Sequence, residues 1–131
     1  MSNVFHQVFR FVAVGCAAAA THWAVAVLCI AHAGLPPLVA NVAGWLTAFV
    51  VSFAGHFRLT FRHADLAWRQ AARRFFVVSA SGFAVNECAY AWLLHASGIR
   101  YDLLLALILV AVAALTFIAS RWWAFRRSYG A

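Results

Sequence analysis

Residues 10–62 read RFVAVGCAAAATHWAVAVLCIAHAGLPPLVANVAGWLTAFVVSFAGHFRLTFR, and residues 74–126 read RFFVVSASGFAVNECAYAWLLHASGIRYDLLLALILVAVAALTFIASRWWAFR. The second stretch aligns with the first at a constant offset of 64, without a gap and with eight identities in 53 positions. The identities form a frame: Arg-Phe opens each unit, Gly34 or Gly98 marks its middle, and Phe-Arg closes it. The sequence therefore predicts one helical hairpin repeated along the chain.

The chain is too apolar for an ordinary soluble domain. It is 66% hydrophobic and 10% charged, whereas soluble domains are about 25% charged. A membrane helix takes about 20 apolar residues, and the continuous apolar runs lack the period of two expected of barrel strands. We predict an all-α membrane protein with spans at 11–32, 36–57, 75–96 and 103–125, which leaves no room for a large extramembrane enzyme.

Positive charge is confined to one end of these spans. All ten basic residues are arginines, and nine lie before the first span, in segment 58–74, or after residue 120. Since such flanks stay in the cytoplasm, we predict an N-in/C-in topology with a cytoplasmic connector at 63–73. Repeat one (10–62) and repeat two (74–126) are then parallel copies, related by an axis along the membrane normal, within a single domain, 1–131.

The composition also limits the kinds of molecule that the protein is expected to bind. A net charge of +7 without a Lys/Arg-rich run indicates anionic membrane lipids rather than nucleic acid. Small residues at 15–20 and 79–82 suit close helix packing, either within the chain or in a homo-oligomer such as a dimer. The three cysteines show no metal-ligand spacing and are interpreted as packing residues.

Polar residues inside the predicted spans mark the first candidate site, because such residues are costly in lipid. Asn86 and Glu87 lie about 12 residues into the third span, and the repeat aligns them with His22 and Trp23. Two interpretations are open for Glu87: a functional carboxylate for a proton or polar substrate, or a protonated group satisfied by His22 or Asn86. Asn41 is expected to make a structural bond to backbone.

The second candidate site lies where spans two and four end. Each carries polar residues four positions apart, on one helical face, followed by arginines, whose planar charged fork suits phosphate. The alternative interpretation is that these arginines only set topology. The residues predicted to contact a polar substrate are Ser52, His56, Arg58, Thr116, Ser120 and Arg121. Those predicted to contact a phosphate or head group are Arg10, Arg62, Arg74 and Arg126.

We expect no enzymatic activity, cofactor or metal. The sequence has no Ser/His/Asp arrangement, no Gly-rich phosphate loop and no metal-ligand spacing. Glu87 also has no second carboxylate in its membrane layer to form an acid/base pair.

Together these motifs resemble the GtrA family of small four-span membrane proteins, over about residues 8–127. The family's opening pattern matches residues 10–15, with His22 at its polar position, and recurs at Arg74-Phe75 with Asn86. Its closing pattern is followed from Ser52 and from Thr116. The two asparagines of that closing pattern are replaced, by Ser52 and His56 in one copy and by Thr116 and Ser120 in the other.

The resemblance implies that the protein moves a polyprenyl-phosphate-linked sugar from the cytoplasmic to the outer leaflet of a bacterial inner membrane. The sugar would then serve cell-surface polysaccharides such as O-antigen. Two alternatives stay open: a scaffold that recruits a membrane glycosyltransferase without moving lipid, and a small multidrug-type exporter. The exporter is disfavoured because its carboxylate lies on the first helix and its entrance is not basic.

Overall fold

The protein is a bundle of four α-helices in a computed structural model that describes residues 2–60 and 67–124, with side chains described at 4–59 and 67–115. The helices are α1 (Ser2–Ala33), α2 (Pro37–Gly55), α3 (Trp68–Ala96) and α4 (Tyr101–Ala124). A π-helical turn at His56–Thr60 follows α2. Within the described ranges no strand occurs, so the predicted all-α fold with four helices is confirmed.

Two of the helical stretches are long and apolar enough to cross a membrane, Val4–Ala33 and Pro37–Leu59. A third apolar helix, Tyr101–Leu115, is shorter within the part whose side chains are described. Helix α3 is long enough to cross a membrane but is less apolar than these helices, because its middle carries two serines, Asn86 and Glu87. The helix with the least apolar centre therefore holds two of the predicted site residues.

Helices α1 and α3 begin earlier than their predicted spans. α1 starts at Ser2 rather than at residue 11, and α3 starts at Trp68 rather than at residue 75. The polar residues before each predicted span lack helix breakers near the boundary, so the helical backbone continues beyond the apolar stretch. The last part of the predicted connector, from Trp68, is thus the first turn and a half of α3.

The turns within the two hairpins have the same geometry. Gly34 and Gly98 adopt φ of 64° and 63°, a left-handed conformation that favours glycine at the end of a helix. Three residues later α2 begins at Pro37 and α4 at Tyr101, positions that are again 64 apart. We call this end of the molecule the turn end, and the opposite end, where α2 stops and α3 starts, the connector end.

Equivalent positions are also buried in both halves near the turn end. The pairs are His22 with Asn86, Ala26 with Tyr90, Ala40 with Leu104, Asn41 with Leu105 and Gly44 with Ile108. Ala26, Tyr90, Leu104, Leu105 and Ile108 form the apolar core there. Duplication of the whole hairpin and its axis stay predictions, but burial at the turn end follows the same offset.

Toward the connector end the two halves differ. In the first half Val14 is buried, and a Cβ placed on Gly55 would lie 2.7 Å from its methyl group, so α1 and α2 pack closely. In the second half Val78, the counterpart of Val14, is 70% exposed. The connector half of α3 therefore leaves exposed a face whose counterpart on α1 is covered by α2.

Candidate functional site

One amide, the side chain of Asn41 on α2, joins polar groups from α1 and α3. Its Nδ2 donates to Asn86 Oδ1 at 2.8 Å and to Glu87 Oε2 at 2.6 Å, and its Oδ1 lies 2.7 Å from His22 Nε2. His22, Asn41 and Asn86 are buried, and Glu87 is half-buried. The predicted trio of His22, Asn86 and Glu87 is thus assembled, through a residue not assigned to the site.

The prediction that Asn41 bonds to backbone was wrong. Its side chain is fully buried and bonded to three other side chains, because α2 turns that face toward both α1 and α3. A signal for this was present in the sequence: Ala40, Gly44 and Ala48 recur every four residues, which marks a close-packing face. Asn41 is adjacent to that face.

His22 is held against α2 by the lack of a side chain at Gly44. A Cβ at Gly44 would lie 2.5 Å from the His22 backbone oxygen and 2.7 Å from its imidazole Cδ2. Any larger residue would force the two helices apart. The approach of α1 and α2 therefore places the imidazole within hydrogen-bonding distance of Asn41.

The orientation of the Asn41 amide fixes which nitrogen of His22 carries a proton. The amide nitrogen donates to Asn86 and to Glu87, so the amide oxygen faces His22. An amide oxygen only accepts hydrogen bonds, and His22 Nε2 must therefore be the donor in this contact.

A cavity of about 180 Å³ lies beside this network, toward the connector end. His22, Ser52 and Ser79 supply polar groups to its wall, and Trp45 and Phe49 supply aromatic ones. Trp45 Nε1 donates to Ser79 Oγ at 2.9 Å, and its ring stacks on Phe83 at a centroid distance of 4.6 Å. The cavity thus combines hydroxyl and imidazole groups with a fixed aromatic wall.

Aromatic side chains continue from this cavity to the connector end. They recur every four residues, at Trp45, Phe49 and Phe53 on α2 and at Phe57 in the π-helical turn. Phe49 packs against Phe75 and Phe76 of α3, at 5.7 and 5.5 Å between centroids. This aromatic column lines the side of α2 that faces α3.

The predicted residues near the connector end are placed as follows. Ser52 lines the cavity with His22, and His56 is buried at the π-helical turn, where its ring lies 4.8 Å from that of Phe11. Arg58, Arg10 and Arg74 are exposed. The side chains of Thr116, Ser120 and Arg121, and residues Arg62 and Arg126 as a whole, lie outside the described part of the structure. Their roles stay predictions.

The turn end is closed over the network by polar contacts to backbone. Trp23 Nε1 donates to the Asp102 carbonyl at 2.9 Å, which ties α1 to α4, and Tyr90 Oη donates to the Tyr101 carbonyl at 3.2 Å. Arg100 pairs with Asp102 at 2.9 Å on the exposed surface. Among the described residues, no group of three or more His, Cys, Asp or Glu could hold a metal.

The GtrA/DPMS transmembrane domain matches residues 10–125. The chain belongs to this family. The predicted resemblance is confirmed, and the protein is a membrane protein whose exposed apolar side chains, such as Phe5, Trp92 and Val110, suit contact with lipid. No curated protein and no solved structure gives a significant match to the chain.

Proposed function

We propose that the protein moves a polyprenyl-phosphate-linked monosaccharide from the cytoplasmic to the outer leaflet of a bacterial inner membrane, for surface polysaccharides such as O-antigen. The observation that carries this proposal is the Asn41-centred network with its adjoining cavity, set between apolar helices. A buried polar cluster is costly in a membrane and is retained where a polar substrate passes. Family membership, as the resemblance implied, supports a lipid-linked sugar.

The chemistry of the cavity suits such a head group. Hydroxyl and imidazole groups from Ser52, Ser79 and His22 can exchange hydrogen bonds with sugar hydroxyls, and Trp45 offers an apolar wall for a ring. The hydrocarbon tail needs no enclosed path, since it can remain in lipid beside the exposed faces of the helices. In this proposal the protein lowers the free-energy barrier to moving the polar head group across the membrane. No covalent bond is made or broken.

The proposed topology is N-in/C-in, with the connector end in the cytoplasm. Arg58, Arg69, Arg73 and Arg74 are gathered there, as the positive-inside bias requires. In this orientation, the aromatic column leads from the cytoplasmic head-group level to the cavity at His22. The direction of movement, from the cytoplasmic leaflet outward, follows the same path.

Reconstitution in liposomes tests this proposal. Purified protein should redistribute a fluorescent polyprenyl-phosphate sugar between leaflets. Glu87→Gln should slow that movement about tenfold, because it replaces one of the two carboxyl oxygens, which can accept from Asn41, with an NH2 group that cannot. Asp102→Asn is the matched control, since Asp102 pairs with Arg100 on the surface and lies outside the network. An unchanged leaflet distribution with wild-type protein would contradict flipping.

The scaffold alternative predicts a different outcome. A scaffold would leave the lipid where it is, and Glu87→Gln would still co-purify with a membrane glycosyltransferase and support surface sugar modification. Movement of hydrophobic cations by the same liposomes, with no effect on the lipid, would instead support a small multidrug-type exporter.

A further inference from the structure

A groove between α2 and α3 opens at the connector end. It has a volume of about 390 Å³ and is lined by Phe49 from α2 and by Ala72, Arg73, Phe76 and Val77 from α3. Its wall is almost wholly apolar, because Arg73 contributes chiefly the hydrocarbon part of its side chain. Such a groove suits a hydrocarbon chain, and the charged end of Arg73 is available to an anionic group attached to that chain.

Arg73 lies at this groove without a carboxylate partner among the described residues. The described carboxylates are Glu87 and Asp102; Asp102 pairs with Arg100, and neither forms an ion pair with Arg73. By contrast, the Arg69 guanidinium lies over the Trp68 ring, 5.7 Å from its centroid. Arg73 also lines a second groove, of about 500 Å³, with Gln70 and Arg74, so a second arginine lies nearby.

The groove and the cavity of the candidate site are neighbours that share one side chain. Phe49 lines both the groove that holds Arg73 and the cavity that holds His22. Phe49 therefore lies between the groove and the cavity, on the face of α2 that turns toward α3. This proximity places a group bound at Arg73 on the same side of α2 as the candidate site.

We propose that Arg73 binds the phosphate of the lipid at the cytoplasmic end of this groove, with the first isoprenoid units against Phe49 and Phe76. This inference rests on the proposed function for the class of lipid. It assigns the first binding step to α3, rather than to Arg58 at the π-helical turn. The guanidinium fork matches the geometry of a phosphate, and the apolar wall gives the chain a place next to the bilayer.

Lipid binding to the full chain in detergent micelles, measured by native mass spectrometry, tests the assignment. The probe is undecaprenyl phosphate, and Arg73→Gln should weaken its binding about tenfold or more, the loss expected for a hydrogen bond to a charged group. Arg73→Lys should retain part of the affinity, because the charge remains while the fork is lost. Arg69→Gln is the matched control and should bind as wild type.

Three results would overturn the assignment. They are wild-type affinity in Arg73→Gln, displacement of the probe by inorganic phosphate alone, and equal displacement by phosphatidylglycerol, which would indicate a site for any anionic lipid. Undecaprenol without phosphate should bind Arg73→Gln and wild type alike. The proposed function is separable: if Arg73-dependent binding is found but liposomes show no movement of lipid, flipping fails while the binding site stands.

Discussion

At the residue scale, the amide of Asn41 uses three of its hydrogen-bonding positions on His22, Asn86 and Glu87. An amide group is suited to this position because it donates and accepts at once, and so can serve both a carboxylate and an imidazole. No buried side-chain polar atom lacks a partner within the described part of the protein. Removal of the amide would leave the buried His22 and Asn86 and the half-buried Glu87 without this partner.

Asn41→Leu keeps the approximate volume and removes the hydrogen bonds. We expect a loss of about 1–3 kcal/mol for each polar group left without a partner, and therefore a clearly lower thermal midpoint in detergent. Transport of the labelled lipid should be lost as well. The measurement is thermal unfolding of the purified protein, followed by intrinsic fluorescence.

The control for this substitution is Thr47→Val on the same helix. Thr47 Oγ1 donates only to the Ala43 carbonyl, one turn earlier, on the exposed side of α2. We expect a thermal midpoint close to that of wild type for this variant. Equal midpoints for Asn41→Leu and Thr47→Val would show that the network does not stabilise the bundle.

The sequence identifies His22, Asn86 and Glu87 because depth along an apolar span can be counted from its ends. It does not identify Asn41 or Arg73. Asn41 depends on the rotation of α2 about its axis, which is set by the close approach at Gly44 and by the position of α3. Arg73 resembles any arginine at a membrane boundary until the groove between α2 and α3 is seen.

At the element scale, α1 and α2 approach where glycine replaces a side chain. Gly44→Ala would place a Cβ 2.5 Å from the His22 backbone oxygen, an atom that cannot rotate away. Overpacking of this kind typically costs about 1–3 kcal/mol. We expect a lower thermal midpoint and weaker lipid transport, because the shift of α1 moves His22 away from Asn41.

Gly15→Ala on α1 is the matched control. A Cβ at Gly15 would have no atom within 4 Å, and alanine favours the helix over glycine by about 1 kcal/mol. This variant should be as stable as wild type or slightly more so. A similar loss of stability in both variants would contradict the close contact at Gly44.

The helices themselves follow from apolar length, but the details of their ends do not. The two turns are predictable because Gly34 and Gly98 recur at the repeat offset. In the structure both residues adopt positive φ. The π-helical turn at His56–Thr60 is not, since no local pattern distinguishes it from the α-helix before it. There the ring of His56, packed between Phe11 and Phe75, accompanies the change of helix type.

At the scale of the whole molecule, the prediction concerns orientation in the membrane. In a variant without Cys16, Cys29 and Cys88, Ile99→Cys should react with a membrane-impermeant maleimide added to intact cells. Ala67→Cys should react only after the membrane is permeabilised, because the connector end is proposed to be cytoplasmic. Labelling of Ala67→Cys in intact cells would reverse the proposed topology.

The offset of 64 describes one end of the molecule better than the other. Turn geometry and burial agree at that offset near the turn end, whereas Val14 is buried and Val78 is exposed near the connector end. Sequence identity alone does not predict this difference, because both positions are valine. It depends on the residue each valine faces, and on α2 that residue is Gly55.

Helices α1 and α2 differ greatly in length, at 32 and 19 residues, or about 48 Å and 29 Å along their axes. A bilayer has a hydrocarbon thickness of about 30 Å, which α2 matches while upright and α1 exceeds. Such a mismatch is relieved by tilt, and a tilt of α1 would alter its close contact with α2 at Gly44. We therefore expect the acyl-chain length of the host lipids to alter the spacing between His22 and Asn41.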